Sequence, residues 1–417
     1  MLSLSLRRLL FILLVSIGLL NSLAVIVYYG NNTFFPVDEP SYKKGMFLIA
    51  ESNDFLNLKD IYHSPGYQIY LAVLYKIFPI KDKIIFITKI ILWLLNLGCI
   101  FIIFYLGEKY FGQYVGMISA ILFSFSYKYY IYMNLLQYEV LAGFLFLLYI
   151  YIHTGGICHK TKYIHYATLF FLGLLVSAVC FIQVGYIPLF LFSCLAIYIK
   201  LTYHAKKNDI NGKGILLSFF LFLLPIILTI GLWSAYYSLI NHRLIIISDS
   251  LSKSIVRGNN LNSGGFDFPY PEVTGPTGVK FIISYPGKFL QLIKERFLFF
   301  WGLKKDVGYI EHPLIKYINL CFGKNVSGLF FHVAYFLIFF MGMVTKLTID
   351  IKNHLVGNTA CFYLIFLSIL TGPLLYAGSH RFSVPTEPIV AIFQGYFLVL
   401  LFNLAKRRMP ASLNLRT

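Results

Sequence analysis

The stretch IIFITKIILWLLNLGCIFIIFYL, residues 84–106, decides the fold class of this chain. Lys89 is the only charged residue in it. An α-helix rises 1.5 Å per residue, so 23 residues extend about 34 Å, enough to cross the roughly 30 Å hydrocarbon core of a bilayer. The stretch therefore predicts a transmembrane helix.

Apolar runs of similar length recur along the chain. The other predicted spans are 9–29, 113–131, 136–152, 164–180, 182–200, 214–240, 328–346, 358–376 and 384–405. One more apolar piece, 65–79, is shorter than a span. Ten full runs and one short one predict an all-α polytopic membrane protein with about 10–11 transmembrane helices.

The composition agrees with this fold class. Hydrophobic residues make up 58% of the 417 residues and charged residues only 12%, whereas soluble domains are about 25% charged. The formal net charge is +18, from 35 Lys+Arg against 17 Asp+Glu. In a membrane protein this excess indicates basic cytoplasmic loops and attraction to anionic lipids, so membrane lipids are expected partners and nucleic acid is not.

Lysine and arginine concentrate in five short segments. They are the N-terminus with Arg7 and Arg8, the loops 153–163, 200–214 and 345–357, and the C-terminus with Lys406, Arg407 and Arg408. Because short cytoplasmic loops carry such an excess, we expect all five, including both termini, on the cytoplasmic side of an inner or plasma membrane. With ten spans, all five basic segments fall on the same side of the membrane. The piece 65–79 is then a re-entrant or juxtamembrane helix that starts and ends outside, or a true span with a compensating hairpin at 164–200.

This topology divides the chain into three parts. Residues 1–240 form an N-terminal transmembrane module with an outer loop at 30–83. Residues 241–327, rich in turn-forming residues, form an outer-face loop or cap. Residues 328–417 hold the C-terminal transmembrane helices.

An acidic pair, Asp38-Glu39, follows the first span. A carboxylate at the membrane interface can act as a general base on an acceptor hydroxyl or amine. The alternative is a helix start at Pro40, where acidic residues complement the helix dipole. The two roles are compatible.

Two further charges lie at predicted outer span ends. Glu139 is a lone acid entering the membrane, which indicates a site, or else a span-end residue among headgroups. Arg381, beside His380, departs from the positive-inside pattern and implies a local anionic partner. A guanidinium matches a phosphate bidentately, and the alternative is a side chain that reaches up to the headgroups.

Two outer segments carry polar groups suited to a sugar or phosphate. Ser64 before Pro65 predicts a helix start, with His63 and Tyr67 on either side of it. His63 is a ligand for a phosphate or sugar, or an interfacial histidine held by the backbone. The segment 248–265 is rich in hydrogen-bond donors, as are many surface loops.

Six motifs follow one another along the chain. They are Val37-Asp38-Glu39, His63-Ser64-Pro65-Gly66-Tyr67 with Phe78-Pro79, the turn 107–112, Glu139, the stretch 248–259 with Gly264, and Arg381-Phe382-Ser383-Val384-Pro385 with Pro388. This order resembles the GT-C glycosyltransferases, in particular bacterial relatives of protein O-mannosyltransferases and of the lipid A aminoarabinose transferase. Ser64 stands where those relatives usually have proline, and the outer segment is small beside their soluble domains.

The resemblance implies a GT-C-like bundle with juxtamembrane helices and a small outer-face cap. It implies an inverting glycosyltransferase that moves a sugar from a polyprenyl-phosphate donor to a lipid, glycan or protein acceptor at the outer face. Asp38 would be the general base, with Glu39 and Glu139 positioning the acceptor or holding a divalent cation, so the metal requirement stays open. The implied substrate-binding residues are His63, Tyr67, Arg243, Arg257, Asn259, His380 and Arg381, with Lys253 as a further cation.

Two other functions fit the residues. A polysaccharide polymerase would carry a large outer loop without the early acidic pair. A lipid-linked-sugar flippase or transporter would place ionisable or broken-helix positions near the middle of the membrane, often in repeated halves. No internal repeat is visible in the sequence.

Overall fold

A computed structural model describes residues 4–30, 39–52, 63–135, 137–156, 162–208, 212–264, 275–304, 326–353, 355–376 and 380–408. Within these ranges the regular structure is entirely helical. The α-helices are α1 Leu4–Tyr29, α2 Glu39–Ser52, α3 Pro65–Ile77, α4 Ile84–Phe111, α5 Gln113–Ser124, α6 Tyr127–Asn134, α7 Glu139–Gly156, α8 Lys162–Ile182, α9 Pro188–Asn208, α10 Gly212–Ile226, α11 Leu232–Asn241, α12 Ser250–Gly258, α13 Gly278–Ser284, α14 Pro286–Phe300, α15 Val326–Lys352, α16 Val356–Tyr376 and α17 Glu387–Arg408. Short 3-10 helices occur at Lys81–Lys83, Val184–Tyr186 and His380–Thr386.

Helices suited to crossing a membrane account for most of the described chain. Seven are long and apolar enough to cross, and three shorter apolar helices cover Gln113–Ser124, Glu139–Gly155 and Thr359–Leu375. Each corresponds to one of the ten predicted runs. The protein is therefore an all-α, multi-pass membrane protein, as the sequence predicts.

The short apolar piece forms a helix of its own. α3 has 13 residues, which rise only about 20 Å. It begins at Pro65, where proline costs no hydrogen bond because the first helical N–H has no intrahelical acceptor. α3 packs against α2 and the end of α8. An added Cβ at Gly66 would lie 2.5 Å from the Phe181 carbonyl carbon, so glycine is needed for this close approach.

Two predicted spans contain breaks that the apolar pattern does not show. The run 113–131 divides at Phe125 and Ser126 into α5 and α6, and the Ser126 hydroxyl at this break donates to Glu387. The run 214–240 contains a π-helical turn at Ile227–Gly231, just after Pro225. Proline lacks the N–H that an α-helix needs, and a wider turn absorbs the missing bond.

Helix α4 contacts α1, α5, α7 and α17. The turn from α4 to α5 depends on glycine. Gly112 has a φ of 120°, which L-residues rarely adopt, and a Cβ on Gly107 would lie 2.7 Å from the Gly116 Cα. The predicted turn at 107–112 is thus a close helical hairpin.

The beginnings of α7, α9 and α17 lie at the same end as the ends of α8 and α16. Arg381 contacts Glu139, Gln183 donates to Tyr138, and the segment His380–Thr386 packs on both α7 and α16. We call this end the site face. The turn at Gly112 lies at the opposite end of the bundle.

Candidate functional site

The site face holds an ion pair between a buried carboxylate and a partly exposed arginine, 242 positions apart in the sequence. Glu139, the first residue of α7, is fully buried, and its Oε1 lies 3.7 Å from Nε of Arg381. Arg381 is 26% exposed and lies over the Phe382 ring. Glu139 is thus not a headgroup-exposed residue, and the anionic neighbour expected for Arg381 includes a protein carboxylate.

Close packing one turn below Glu139 positions Arg381. The 3-10 segment His380–Thr386 packs on α7 at Gly143. A Cβ there would lie 3.3 Å from the Pro385 Cα and 2.3 Å from the Tyr129 hydroxyl. Glu139 and Gly143 lie on the same face of α7, four residues apart. The packing of the segment His380–Thr386 on Gly143 therefore brings Arg381 close to the Glu139 carboxylate.

A layer of polar groups surrounds the start of α3. The Ser64 hydroxyl accepts a 2.9 Å hydrogen bond from the Val184 N–H and lies 3.5 Å from the Ser248 hydroxyl. Gln183 donates from Nε2 to the Tyr138 hydroxyl at 3.0 Å. Ser64 thus begins the predicted helix, but its side chain joins α3 to the junction of α8 and α9 and does not cap its own helix.

Ser248 follows a residue with an unusual backbone conformation. Ile247 has a φ of 62°, rare for a β-branched side chain, and is buried. Its N–H donates to the Ser234 hydroxyl and its carbonyl accepts from Trp233 Nε1. Such conformations persist only where neighbouring groups enforce them, and they cluster at functional sites.

Aromatic rings connect α2 to the polar layer. Tyr42 of α2 packs edge-to-face on Tyr67, with ring centroids 5.0 Å apart, and against the His63 ring at 4.9 Å. Tyr67 in turn lies edge-on to Tyr138 at 6.5 Å. Burial, and the neighbouring Tyr70 and Glu139, raise the pKa of the Tyr67 phenol well above its ordinary value, so it stays protonated.

A second buried ion pair lies on the other side of the segment His380–Thr386. Lys128 Nζ is 3.0 Å from Glu387 Oε1 and donates to the Ser383 hydroxyl at 3.2 Å. Glu387 also accepts from Ser126, and from the Tyr335 hydroxyl at 2.6 Å. Lys128 and Glu387 were not predicted as site residues, although a charge inside each of two apolar runs was a usable signal.

Arg296 of α14 is a third buried charge that was not predicted. It donates to the carbonyls of Leu374 and Gly258 and to Oδ1 of Asn259 at 3.1 Å. Burial lowers its pKa to about 10, so it remains charged at neutral pH. Asn259 donates to the Leu375 carbonyl at 3.0 Å. The predicted sugar ligand Asn259 thus joins α12 to the end of α16.

The remaining predicted residues divide between exposed positions and undescribed ones. Arg243 is 56% exposed and pairs with Asp249, and Lys253 approaches the same carboxylate at 4.0 Å. Arg257 is partly exposed on α12. Glu39 begins α2, in agreement with a helix start at Pro40.

Asp38 and the side chain of His380 lie outside the described residues. Among the groups that the structure describes, no cluster of three His, Cys, Asp or Glu residues could hold a metal ion. Asp38 and the side chain of Glu39 are not among these groups, so a divalent cation held by these acids stays a prediction.

The arrangement of the described helices is similar in fold to that of two solved proteins. ArnT from Cupriavidus metallidurans, bound to undecaprenyl phosphate, aligns with a TM-score of 0.54 and 10% identity, covering 98% of this chain and 61% of its own. The archaeal oligosaccharyltransferase AglB from Archaeoglobus fulgidus, in complex with an inhibitory peptide and a dolichol-phosphate, aligns with a TM-score of 0.53 and 11% identity, covering 99% and 53%.

The similarity is one of fold. This chain spans about half to three fifths of the length of the two solved proteins. No protein-family profile matches the sequence. No curated protein matches it either.

Proposed function

We propose that this protein is an inverting glycosyltransferase that transfers a sugar from a polyprenyl-phosphate donor to an acceptor at the outer face of the membrane. The observation that carries the proposal is the Glu139–Arg381 pair at one end of a GT-C fold. Both solved neighbours named above bind a polyprenyl-type phosphate lipid, and a partly exposed guanidinium is a suitable ligand for such a phosphate. The acceptor is a lipid, glycan or protein.

Arg381 stabilises the leaving group in this mechanism. Negative charge grows on the phosphate as the bond to the anomeric carbon breaks, and a fixed cation lowers the energy of that state. Glu139 orients the guanidinium through Nε and is a positioning residue. Arg243, Arg257 and Lys253 supply further positive charge on the outer segment, which we assign as a cap over the site.

Asp38 is the general base. The acceptor proton passes to its carboxylate, the acceptor atom bonds to the anomeric carbon with inversion, and the phosphate leaves with the electron pair. Asp38 directly precedes α2, whose Tyr42 contacts Tyr67. The mechanism requires Asp38 to lie near Arg381 at the outer face.

The cellular orientation follows the charge of the loops. We infer cytoplasmic termini and an outward site face in an inner or plasma membrane, with 241–327 as the outer cap between the modules 1–240 and 328–417. Cysteine labelling from outside the cell tests this: Ser252→Cys in α12 should react with a membrane-impermeant maleimide, and Thr348→Cys in α15 should not.

A transfer assay tests the function. Purified protein in vesicles is given a radiolabelled polyprenyl-phosphate sugar and a membrane-extract acceptor, and wild type is compared with Asp38→Asn. Loss of a general base lowers the rate by about 100-fold or more. The matched control is Glu51→Gln, an exposed carboxylate on the far turn of α2, which should keep wild-type transfer.

The other outcomes have separate meanings. Equal transfer by wild type and Asp38→Asn, both folded, would remove Asp38 from the chemistry. Movement of the labelled lipid between leaflets without any sugar transfer would show that the protein is a flippase and not a glycosyltransferase.

A further inference from the structure

A cavity of about 280 Å³ lies between α5, α15 and α17, beside the Lys128–Glu387 pair. Its walls are mainly apolar and include Leu122, Ile338, Ala391 and Leu398. It does not include Glu139 or Arg381. The cavity is therefore a feature separate from the proposed transfer site.

The polar end of the cavity is formed around the Glu387 carboxylate, which joins Lys128 and Tyr335. His332 and Gln394 are further polar residues of the lining. A buried lysine paired with a buried glutamate carries no net charge. This end can therefore lie next to a lipid's ester or hydroxyl groups, but it offers no excess positive charge to a phosphate.

The remainder of the cavity extends along α17 toward the middle of the membrane. Glu387, Ala391 and Leu398 follow one face of that helix, and 11 residues rise about 16 Å, half of the hydrocarbon thickness. Both α15 and α17 belong to the helices able to span a bilayer. The apolar residues that these helices expose, such as Leu337 and Phe402, face lipid, so lipid is the medium nearest to the channel.

We propose that this cavity is a binding site for one acyl chain of a bilayer phospholipid, with the chain along α17 and its ester end beside Tyr335 and Lys128. Filling an apolar, membrane-facing cavity restores dispersion contacts that its walls otherwise lack. Partly exposed Leu398 and Ile338 would line the chain.

The bound lipid would touch the transfer site only indirectly. Lys128 donates to Ser383, two residues from Arg381 on the same 3-10 segment. The acyl-chain site and the proposed phosphate site thus lie on the two sides of His380–Thr386, and a lipid against Lys128 would support the side that carries Arg381.

Photocrosslinking tests the site directly. The protein is reconstituted in vesicles of phosphatidylethanolamine and phosphatidylglycerol, with either lipid carrying a diazirine halfway along one acyl chain, and adducts are mapped by peptide mass spectrometry. A site filled most of the time should give several-fold more adduct at Ile338 and Leu398 than at the outward-facing Met341 and Phe402. Because the end is neutral, both lipids should label it alike.

Variants that fill the cavity decide the outcome. Ala334→Trp and Leu398→Trp should each remove the enrichment at Ile338, because the indole occupies the channel from either end. Val344→Trp, at a lipid-exposed position on α15, should leave it unchanged.

Three results would overturn the proposal: even labelling along both helices, enrichment that survives both filling variants, or displacement of the adducts by excess polyprenyl phosphate. The last would assign the cavity to the sugar donor. None of these readouts requires transfer activity, so they are independent of the proposed function.

Discussion

Replacing Glu139 by glutamine keeps the size of the side chain but removes the negative charge facing Arg381. At the 3.7 Å separation of Nε and Oε1, two unit charges interact by about 4.5 kcal/mol at an effective dielectric constant of 20. Arg381 is 26% exposed, so water screens part of this attraction. We expect a coupling free energy of about 2 kcal/mol between the two side chains.

A double-mutant cycle measures this coupling. Wild type, Glu139→Gln, Arg381→Gln and the double variant are unfolded reversibly in mixed micelles, and the free energies of unfolding are compared. Both single variants should be less stable than wild type. The double variant should be more stable than the sum of the two losses predicts, because no unpaired buried charge remains.

Transfer activity distinguishes positioning from stability. Glu139→Gln should lower transfer by about 100-fold per folded molecule, the scale of a misplaced catalytic group. The matched control is Asp350→Asn, which breaks the buried Lys346–Asp350 pair on α15 and should cost stability without loss of transfer. A coupling below about 0.5 kcal/mol, the level expected for an exposed pair, would refute the reasoning.

Three further changes have defined outcomes. Gly143→Ala should destabilise the protein by about 1–3 kcal/mol in denaturant titrations, because its Cβ would meet the Tyr129 hydroxyl at 2.3 Å. Tyr129→Phe should rescue part of that loss, and a failure to rescue would exclude the hydroxyl clash. Arg296→Lys keeps the positive charge but loses the planar guanidinium that donates to the carbonyls of Gly258 and Leu374. Protease should therefore cut α12 faster in the variant than in wild type. Equal rates of cutting would contradict the role of Arg296 in holding α12. His242 is exposed and ends α11 with a φ of 52°, a left-handed conformation that glycine adopts more easily. His242→Gly should therefore raise the free energy of unfolding by about 1 kcal/mol. An unchanged free energy of unfolding would show that this conformation does not destabilise the protein.

The helices of this protein were largely predictable because their signals are local. Each apolar run of spanning length became a helix or a pair of helices, and Ser64-Pro65 marked the start of α3 correctly. The breaks at Ser126 and Ile227–Gly231 were not predicted. At the first break the Ser126 hydroxyl contacts Glu387, 261 positions away.

The candidate site was predictable only as separate residues. A lone acid at a span end and an arginine on the unexpected side singled out Glu139 and Arg381. Arg296 carries no such signal, because it lies in an amphipathic stretch between Lys294 and Phe297. Its role appears only where α14 meets α16.

The sequence by itself determined that this is a polytopic helical membrane protein, because the length and hydrophobicity of each segment must match the bilayer whatever the neighbouring segments do. Only the tertiary structure decided which charges meet. Arg381 reaches Glu139 because Gly143 lets the 3-10 segment approach α7, and Lys128 turns to Glu387 because α5 ends early. Such pairings depend on how closely two distant backbones approach, and no local pattern in the sequence encodes that distance.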